Sequence, residues 1–314
     1  MLESRLVDVI ILTYNEERHI VRAILSVLSF ARAVYVVDSQ STDRTVEMAA
    51  ATGATVVQHA FVNQARQFQW ALDTLPTTAP WIMRLDADEV VEPALAEEIV
   101  HRVPALPADV FGINLKRKHI FLGRWVRYGG RYPLILLRIW RRGHGRVEDR
   151  WMDEHIIIDG GRMITFDRDF CDHNLSDLTA FTEKHNRYAT REAIDVLTQR
   201  YSLVSRGPAL QIGNAPSQAG VKRFIKQRVY NRLPFPVGAL AYFLWRYVVR
   251  LGFLDGPTGL AYHFLQGFWY RFLVGAKVME LERAIRPLKS APERLGELQR
   301  RTGIALLEPV ERGQ

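Results

Sequence analysis

The run Val7-Asp8-Val9-Ile10-Ile11-Leu12 is almost continuously apolar over the length of a strand. It gives way at Thr13-Tyr14-Asn15 to a helical spacing that sets Ile20, Ile24, Leu25 and Leu28 on one face. The alternation then repeats. Residues 33–37 form an apolar run ending at Asp38, and Ser39-Gln40-Ser41-Thr42-Asp43 opens a helix carrying Val46, Met48 and Ala49. A third strand at 54–57 follows Gly53, a helix runs from about Gln64 to Leu75, and a fourth apolar run from Trp81 stops at Asp86-Ala87-Asp88-Glu89. Repeated strand–helix units predict an α/β fold, a mostly parallel sheet with helices on both faces, whose ligands gather at the carboxyl ends of the strands. Tyr14, Asp38 and Asp86 fall at such ends.

After Glu92-Pro93 the pattern predicts a helix to about Arg102, then less regular strands near 110–120, 134–140 and 155–158. The stretch 124–133 is basic and aromatic, with Arg127 and Arg131 as candidate contacts to sugar or phosphate; the same composition suits a plain surface loop. Residues 177–200 have helical spacing. Lys184, Arg187 and Tyr188 share one face of that helix, suited either to phosphates or to solvent. Residues 201–220, rich in Gly, Pro, Ser and Asn, predict a linker or loop. Beyond it, two apolar segments around 235–251 and 260–274 are broken by Arg246, Arg250 and Arg271. A spanning helix needs about 20 mainly apolar residues. The arginines and Trp245, Trp269 and Tyr270 instead fit helices lying in a membrane interface, or an ordinary helical subdomain.

Charge sharpens this division. The net charge of +8 resides in the tail, where residues 221–314 hold 16 Lys/Arg against 7 Asp/Glu. Because its arginines alternate with aromatic and aliphatic residues, an anionic membrane surface is the expected partner and nucleic acid is not. The single cysteine, Cys171, excludes an internal disulfide framework, and residues 1–8 lack the basic-then-apolar pattern of an export signal. The expected location is cytoplasmic. At the acidic cluster, three carboxylates closing an apolar run would repel one another unless a cation sat among them. Mg²⁺ or Mn²⁺, held by Asp86 and Asp88 together with substrate phosphates, is one remedy; a solvated acidic turn is the other reading.

Four segments in order, Ile10-Ile11-Leu12-Thr13-Tyr14-Asn15-Glu16-Glu17, Val37-Asp38-Ser39-Gln40-Ser41-Thr42-Asp43-Arg44-Thr45, Ala65-Arg66-Gln67 and Leu85-Asp86-Ala87-Asp88-Glu89, resemble the family 2 glycosyltransferases of GT-A fold. Trp151-Met152-Asp153-Glu154-His155 and the tail resemble the bacterial subgroup that builds lipopolysaccharide cores and exopolysaccharides. The resemblance implies a GT-A catalytic domain over 1–200, with a nucleotide-sugar half at 1–104 and an acceptor half at 105–200, followed by the linker and a helical, membrane-associating region at 221–314. It also implies a nucleotide-diphosphate sugar donor, most often a UDP-sugar, inversion at the anomeric carbon and a lipid-linked saccharide acceptor.

On that resemblance Thr13, Tyr14, Asn15, Glu16, Asp38, Arg66 and Asp86 would bind the nucleotide sugar, and Asp88 and Asp86 would hold the metal, with His173 completing its shell or closing over the diphosphate. Inversion needs a base for the acceptor hydroxyl. Glu154 is the first candidate and Asp153 the second, Asp153 standing where the subgroup usually has His, while Glu148 and Asp149 read as a surface pair. Two alternatives stand beside this reading. One is a non-catalytic membrane-bound polysaccharide assembly factor. The other is a sugar nucleotidyltransferase, which would carry an early Gly-rich phosphate loop that residues 10–18 lack.

Overall fold

The structure is a computed structural model, and it describes residues 5–148, 156–203 and 234–306. The chain divides into two compact units, Met1–Leu175 and Ser176–Gln314. In the first, strands β1 (Val7–Thr13), β2 (Ala31–Asp38), β3 (Thr55–Gln58) and β4 (Trp81–Asp86) pair in parallel in the order β3-β2-β1-β4. Helices α1 (Ile20–Val27), α2 (Thr45–Ala51) and α3 (Gln64–Thr74) connect them, and α4 (Pro93–Arg102) follows the short β5 (Glu89–Val91). This half matches the sequence pattern to within a few residues, because strands buried on both faces must be continuously apolar.

The two-residue period then sorts the side chains. Val9, Ile11, Val36, Met83 and Leu85 pack with Ile20, Ile24 and Val27 of α1 and Leu95 and Ile99 of α4 on one face. Ile10, Tyr35, Val37 and Ile82 pack with Phe68 and Ala71 of α3 on the other. The sheet therefore has helices on both faces, as an α/β fold of GT-A type requires.

Beyond β4 the sheet becomes mixed. β6 (Val110–Phe121), β7 (Arg124–Trp125), β8 (Leu134–Arg141) and β11 (Arg162–His173) extend it in the order β4-β8-β6-β11-β5, with β7 on β6. β8 is antiparallel to both β4 and β6, whereas β11 runs parallel to β6 and antiparallel to β5. The twelve-residue β11 has no counterpart in the sequence reading. Its polar Asp167, Arg168, Asp169 and Asp172 interrupt any apolar period, and their partners lie on other elements, among them Lys116, Lys118 and His119 of β6 and Glu98 of α4. A small separate sheet joins β9 (Gly145–Val147) to β10 (Ile156–Ile158).

The second unit begins with α5 (Leu178–Arg200), whose Ala193, Ile194 and Leu197 pack against Val278, Leu281 and Ile285 of a helix at Tyr270–Ile285 and against Leu295 and Leu298 of one at Ala291–Thr302. The helix expected at 177–200 thus belongs to this unit's core. Among the described residues no single helix is long and apolar enough to cross a membrane. The pair Phe235–Val249 and Gly252–Ile285, bent by 73°, is so by length and composition. Arg246, which interrupts the first apolar segment, is 4% exposed.

One buried contact fixes the start of β4. Asp8, fully buried in β1, accepts hydrogen bonds from the backbone N–H of Thr78 at 2.7 Å and of Ala79 at 2.8 Å. Hydrogen bonds to a charged group contribute about 1.5–3 kcal/mol each. Asp8→Ala should destabilise the first unit by about 3 kcal/mol in urea unfolding, and Asp8→Asn by less.

Candidate active site

Parallel pairing brings three strand ends together. Thr13 lies opposite Asp38 in the β1/β2 register, and Leu12 lies opposite Asp86 in β1/β4. The turns leaving β1 and β2 are tied to each other. Asp38 is fully buried, and its two oxygens accept from Ser41 N at 2.9 Å and Ser41 Oγ at 2.5 Å. The N–H of Asn15 donates to Ser41 Oγ at 2.8 Å, while Asn15 Oδ1 accepts from Thr42 N at 2.8 Å. Asn15 and Gln40 sit at φ 54° and 63° in the left-handed region, a cost of about 1 kcal/mol or more that this network offsets. Asp38 and Asn15 therefore shape the turn.

Glu16 is likewise engaged within the protein. Its carboxylate lies 2.5 Å from His19 Nδ1, and His19 Nε2 accepts from Leu175 N at 2.8 Å, so the ring proton sits on Nδ1 and is donated to Glu16. Tyr14 and Arg66 differ. Tyr14 is 57% exposed at the end of β1, and Arg66 is exposed in the first turn of α3, beside the cap Asn63. Thr13 is buried, and its Oγ1 has no hydrogen-bond partner. The base-binding candidates thus divide into exposed groups free to meet a ligand, Tyr14 and Arg66, and groups that build the floor.

The acidic cluster already contains cations. Arg138 of β8 donates through Nη2 to Asp86 at 3.0 Å and to Glu89 at 2.5 Å. Arg84 Nε donates to Asp86 at 3.2 Å, and Arg117 of β6 lies 3.4 Å from Glu89. Glu89, 1% exposed, also accepts from the backbone N–H of Asp86 at 3.0 Å and so clasps the turn that carries Asp88. Burial opposes ionisation of Asp86, yet Arg138 and Arg84 hold it well below the usual carboxylate range. Glu89 is pushed up to about 7 by burial and by the nearby Asp86 charge, against the pull of Arg138 and Arg117. Guanidinium groups thus supply positive charge to both Asp86 and Glu89.

Asp88 differs in its surroundings. It is partly exposed, its carboxylate accepts from the Asn174 amide at 3.1 Å, and its backbone oxygen accepts from His173 N at 3.0 Å. No group of three or more His, Cys, Asp or Glu converges as a metal site among the described residues. The donor set still suits a hard cation, because Asp88 is an accessible carboxylate next to the 29% exposed Asp86 and such ions keep waters and phosphate oxygens as further ligands.

His173, beside Asp88, turns its side chain toward Arg22. Arg22 donates to its backbone oxygen at 2.8 Å and faces Nδ1 at 3.3 Å. Burial, with the charge of Arg22, lowers its pKa and so favours the neutral imidazole, the form that can ligate a metal. Cys171, beside it in β11, is a half-buried thiol pushed up to about 11 by burial.

Arg127 and Arg131 lie in the loop after β7. The Arg127 guanidinium is 5.2 Å from the ring of Trp125 and 5.9 Å from that of Tyr128. Trp125 meets Tyr132 edge-on at 4.9 Å, and Tyr132 donates to Asp169 at 2.8 Å. Lys184 and Tyr188 sit on α5 in the second unit, with Tyr188 against His185. Glu148 follows β9, whose Val147 N–H donates to Gln69 of α3 at 3.0 Å. Asp149, Asp153 and Glu154 lie outside the described residues.

The chain belongs to the family described as Glycosyl transferase family 2, whose model matches residues 8–175. The lipopolysaccharide core biosynthesis glycosyltransferase LpsC of Rhizobium meliloti (strain 1021) is 26% identical over 266 residues, covering 81% of this chain and 88% of that protein. An uncharacterized glycosyltransferase of Rickettsia bellii (strain RML369-C) is 40% identical over 98 residues, 31% of this chain, and the match spans only about a third, 33%, of that relative's length. The solved glucosyl-3-phosphoglycerate synthase of Mycobacterium tuberculosis, in complex with Mn²⁺, UDP and glucosyl-3-phosphoglycerate, matches 37% of this chain and 44% of its own, with 21% identity and a TM-score of 0.31.

Arg138, Arg84, Arg117, Arg22 and Gln67 have no assigned part in the sequence reading. Gln67 is 1% exposed and joins His59, through its ring and carbonyl, to Ser39 at the end of β2. A signal for the arginines was present: Arg84 and Arg138 interrupt otherwise apolar strands, and a charge there must have a buried partner. Arg138→Met, which strands two carboxylates, should cost about 3–5 kcal/mol in denaturant unfolding, and combining it with Glu89→Gln should recover part of the loss. The pH dependence of Glu89 has a definite sign. Its folded value lies above its ordinary 4.5, so its contribution is full below that value and is lost as pH rises through about 7. Wild-type stability should therefore fall relative to Glu89→Gln over that window; a rise would contradict the assignment.

Proposed function

We propose that the chain is an inverting, metal-dependent hexosyltransferase. It moves one sugar from a nucleotide-diphosphate donor, most often a UDP-sugar, to a lipid-linked oligosaccharide or a lipopolysaccharide or exopolysaccharide acceptor at the cytoplasmic face of the inner membrane. The observation that carries this is the convergence of the β1, β2 and β4 ends, where exposed Tyr14 and the Asp86-Ala87-Asp88 turn share the carboxyl edge of one parallel sheet. The name of the Rhizobium relative supports a lipopolysaccharide-type acceptor, and the basic, aromatic tail supports a membrane site.

In this reading Tyr14 stacks on the base, Arg66 pairs with the diphosphate or base, and the floor made by Asp38, Ser41 and Asn15 keeps the two turns open to the nucleotide. Asp88, with Asp86 beside it, would hold Mg²⁺ or Mn²⁺, which when bound supplies positive charge for the leaving diphosphate. Arg138 and Glu89 keep those two carboxylates in place. Glu154, with Asp153 as its alternative, takes the proton of the acceptor hydroxyl as the oxygen attacks opposite the diphosphate. The strands flanking that segment, β9 and β10, are paired, and β9 is tethered to α3 by Gln69.

Two variants test the assignment. Asp88→Ala should abolish the thermal shift produced by UDP with Mn²⁺ and lower donor turnover roughly a thousandfold. Glu154→Gln should leave that thermal shift intact and lower transfer by a hundredfold or more. Unchanged turnover in Asp88→Ala would point to a non-catalytic assembly factor.

A further inference from the structure

The second unit contains a segment built inside out. Between residues 235 and 276 the charged side chains are Arg246, Arg250, Asp255 and Arg271, and of these only Arg250 is fully exposed. Arg246, 4% exposed, lies between the rings of Tyr242 and Tyr262 at 5.6 and 5.5 Å. Arg271 lies 3.9 Å from the Tyr242 ring centre, and the fully buried His263 faces Asp255 at 3.6 Å. The outside is apolar. At the bend Trp245, Val248, Val249, Leu251, Phe253 and Leu254 are each 45–60% exposed. In water the arrangement would be the reverse, since charges are solvated and large side chains buried. Apolar outside and paired charge inside is the arrangement that lipid selects.

Packing within the segment is close. Phe235 meets Phe272, Phe243 meets Phe264, and a Cβ on Gly252 would sit 2.7 Å from the His263 ring and 2.9 Å from the Arg246 carbonyl. Small residues at contacts are how helices associate where water cannot drive them together. At about 1.5 Å per residue, the fifteen residues Phe235–Val249 rise roughly 22 Å, short of the ~30 Å hydrocarbon core but deeper than one leaflet's share of it. From Lys277 onward the surface turns basic, with Lys277, Arg283, Arg286, Lys289, Arg300 and Arg301 outnumbering the acids through residue 302. That composition complements anionic headgroups.

We propose that residues 235–276 form a re-entrant element whose bend, from Trp245 to Leu254, inserts among the acyl chains of one leaflet of an anionic bilayer, with the Lys277–Arg301 surface at the headgroups. This deepens the membrane part of the proposed function and is independent of its chemistry. The full chain, wild type and variant, is tested on phosphatidylethanolamine–phosphatidylglycerol vesicles. Flotation with the vesicles should survive high salt, which would release a protein held by charge alone. Phospholipids brominated on their acyl chains should quench tryptophan emission, and Trp245→Phe should remove most of that quenching.

The double variant Val248→Glu, Leu254→Glu places carboxylates where the side chains are already exposed, so it should fold with unchanged melting and retain its UDP–Mn²⁺ thermal shift. Its vesicle affinity should drop on the order of a hundredfold. Release by salt, equal quenching in Trp245→Phe, or undiminished binding of the double variant would each overturn insertion. So would a lipid-free dimer in which Trp245 is already shielded, since the apolar face would then serve a second copy. An undiminished UDP–Mn²⁺ thermal shift and unchanged turnover in Asp88→Ala, with intact flotation, would instead count against the catalytic reading alone.

Discussion

The site rests on a buried charge clamp, with the Arg138 guanidinium between Asp86 and Glu89. Two carboxylates at the end of an apolar strand are an electrostatic liability, and burial sharpens it. One cation from β8, supported by Arg84 and Arg117, makes the pair tolerable while leaving the partly exposed Asp88 on the turn. The clamp also explains why Glu89 is inside: it is the strut that accepts from the Asp86 N–H and fixes the turn on which Asp88 projects. Protein cations thus neutralise the clamped pair within the folded chain itself.

The same economy governs the other strand ends. Asp38, Asn15 and Glu16 read in the sequence as groups for a ligand, yet Ser41, Thr42 and His19 already engage them. Their polarity keeps two loops in strained, left-handed turns at Asn15 and Gln40. Tyr14 and Arg66, by contrast, keep their side chains exposed at the rim. Organisation ahead of binding lowers the entropic cost of capturing a flexible donor.

The two units follow opposite solvent logic. The first buries apolar side chains on both faces of its sheet and pairs its interior charges at the ligand edge. The second has a conventional core where α5 meets the helices at Tyr270–Ile285 and Ala291–Thr302, but around Trp245–Leu254 its apolar side chains face outward over buried Arg246 and His263. The family model matches residues 8–175, within the first unit.

The sequence by itself determined the nucleotide half of the fold, because each buried parallel strand had to be an unbroken apolar run ending in a turn. Strand ends at Thr13, Asp38 and Asp86, and the helices between them, were legible from period alone. It also located the family motifs and the basic, aromatic tail. It could not show β11, whose charged residues find partners on β6, on α4 and at Tyr132, or the inward turn of Arg246, which lies between Tyr242, one turn before it, and Tyr262 on a later helix. Tertiary structure decided which acids are clamped and which is open, since one guanidinium 52 residues after Asp86 does the clamping. Apolar periodicity is local and can be read along a chain, whereas the neutralisation of buried charge depends on the neighbours that folding supplies.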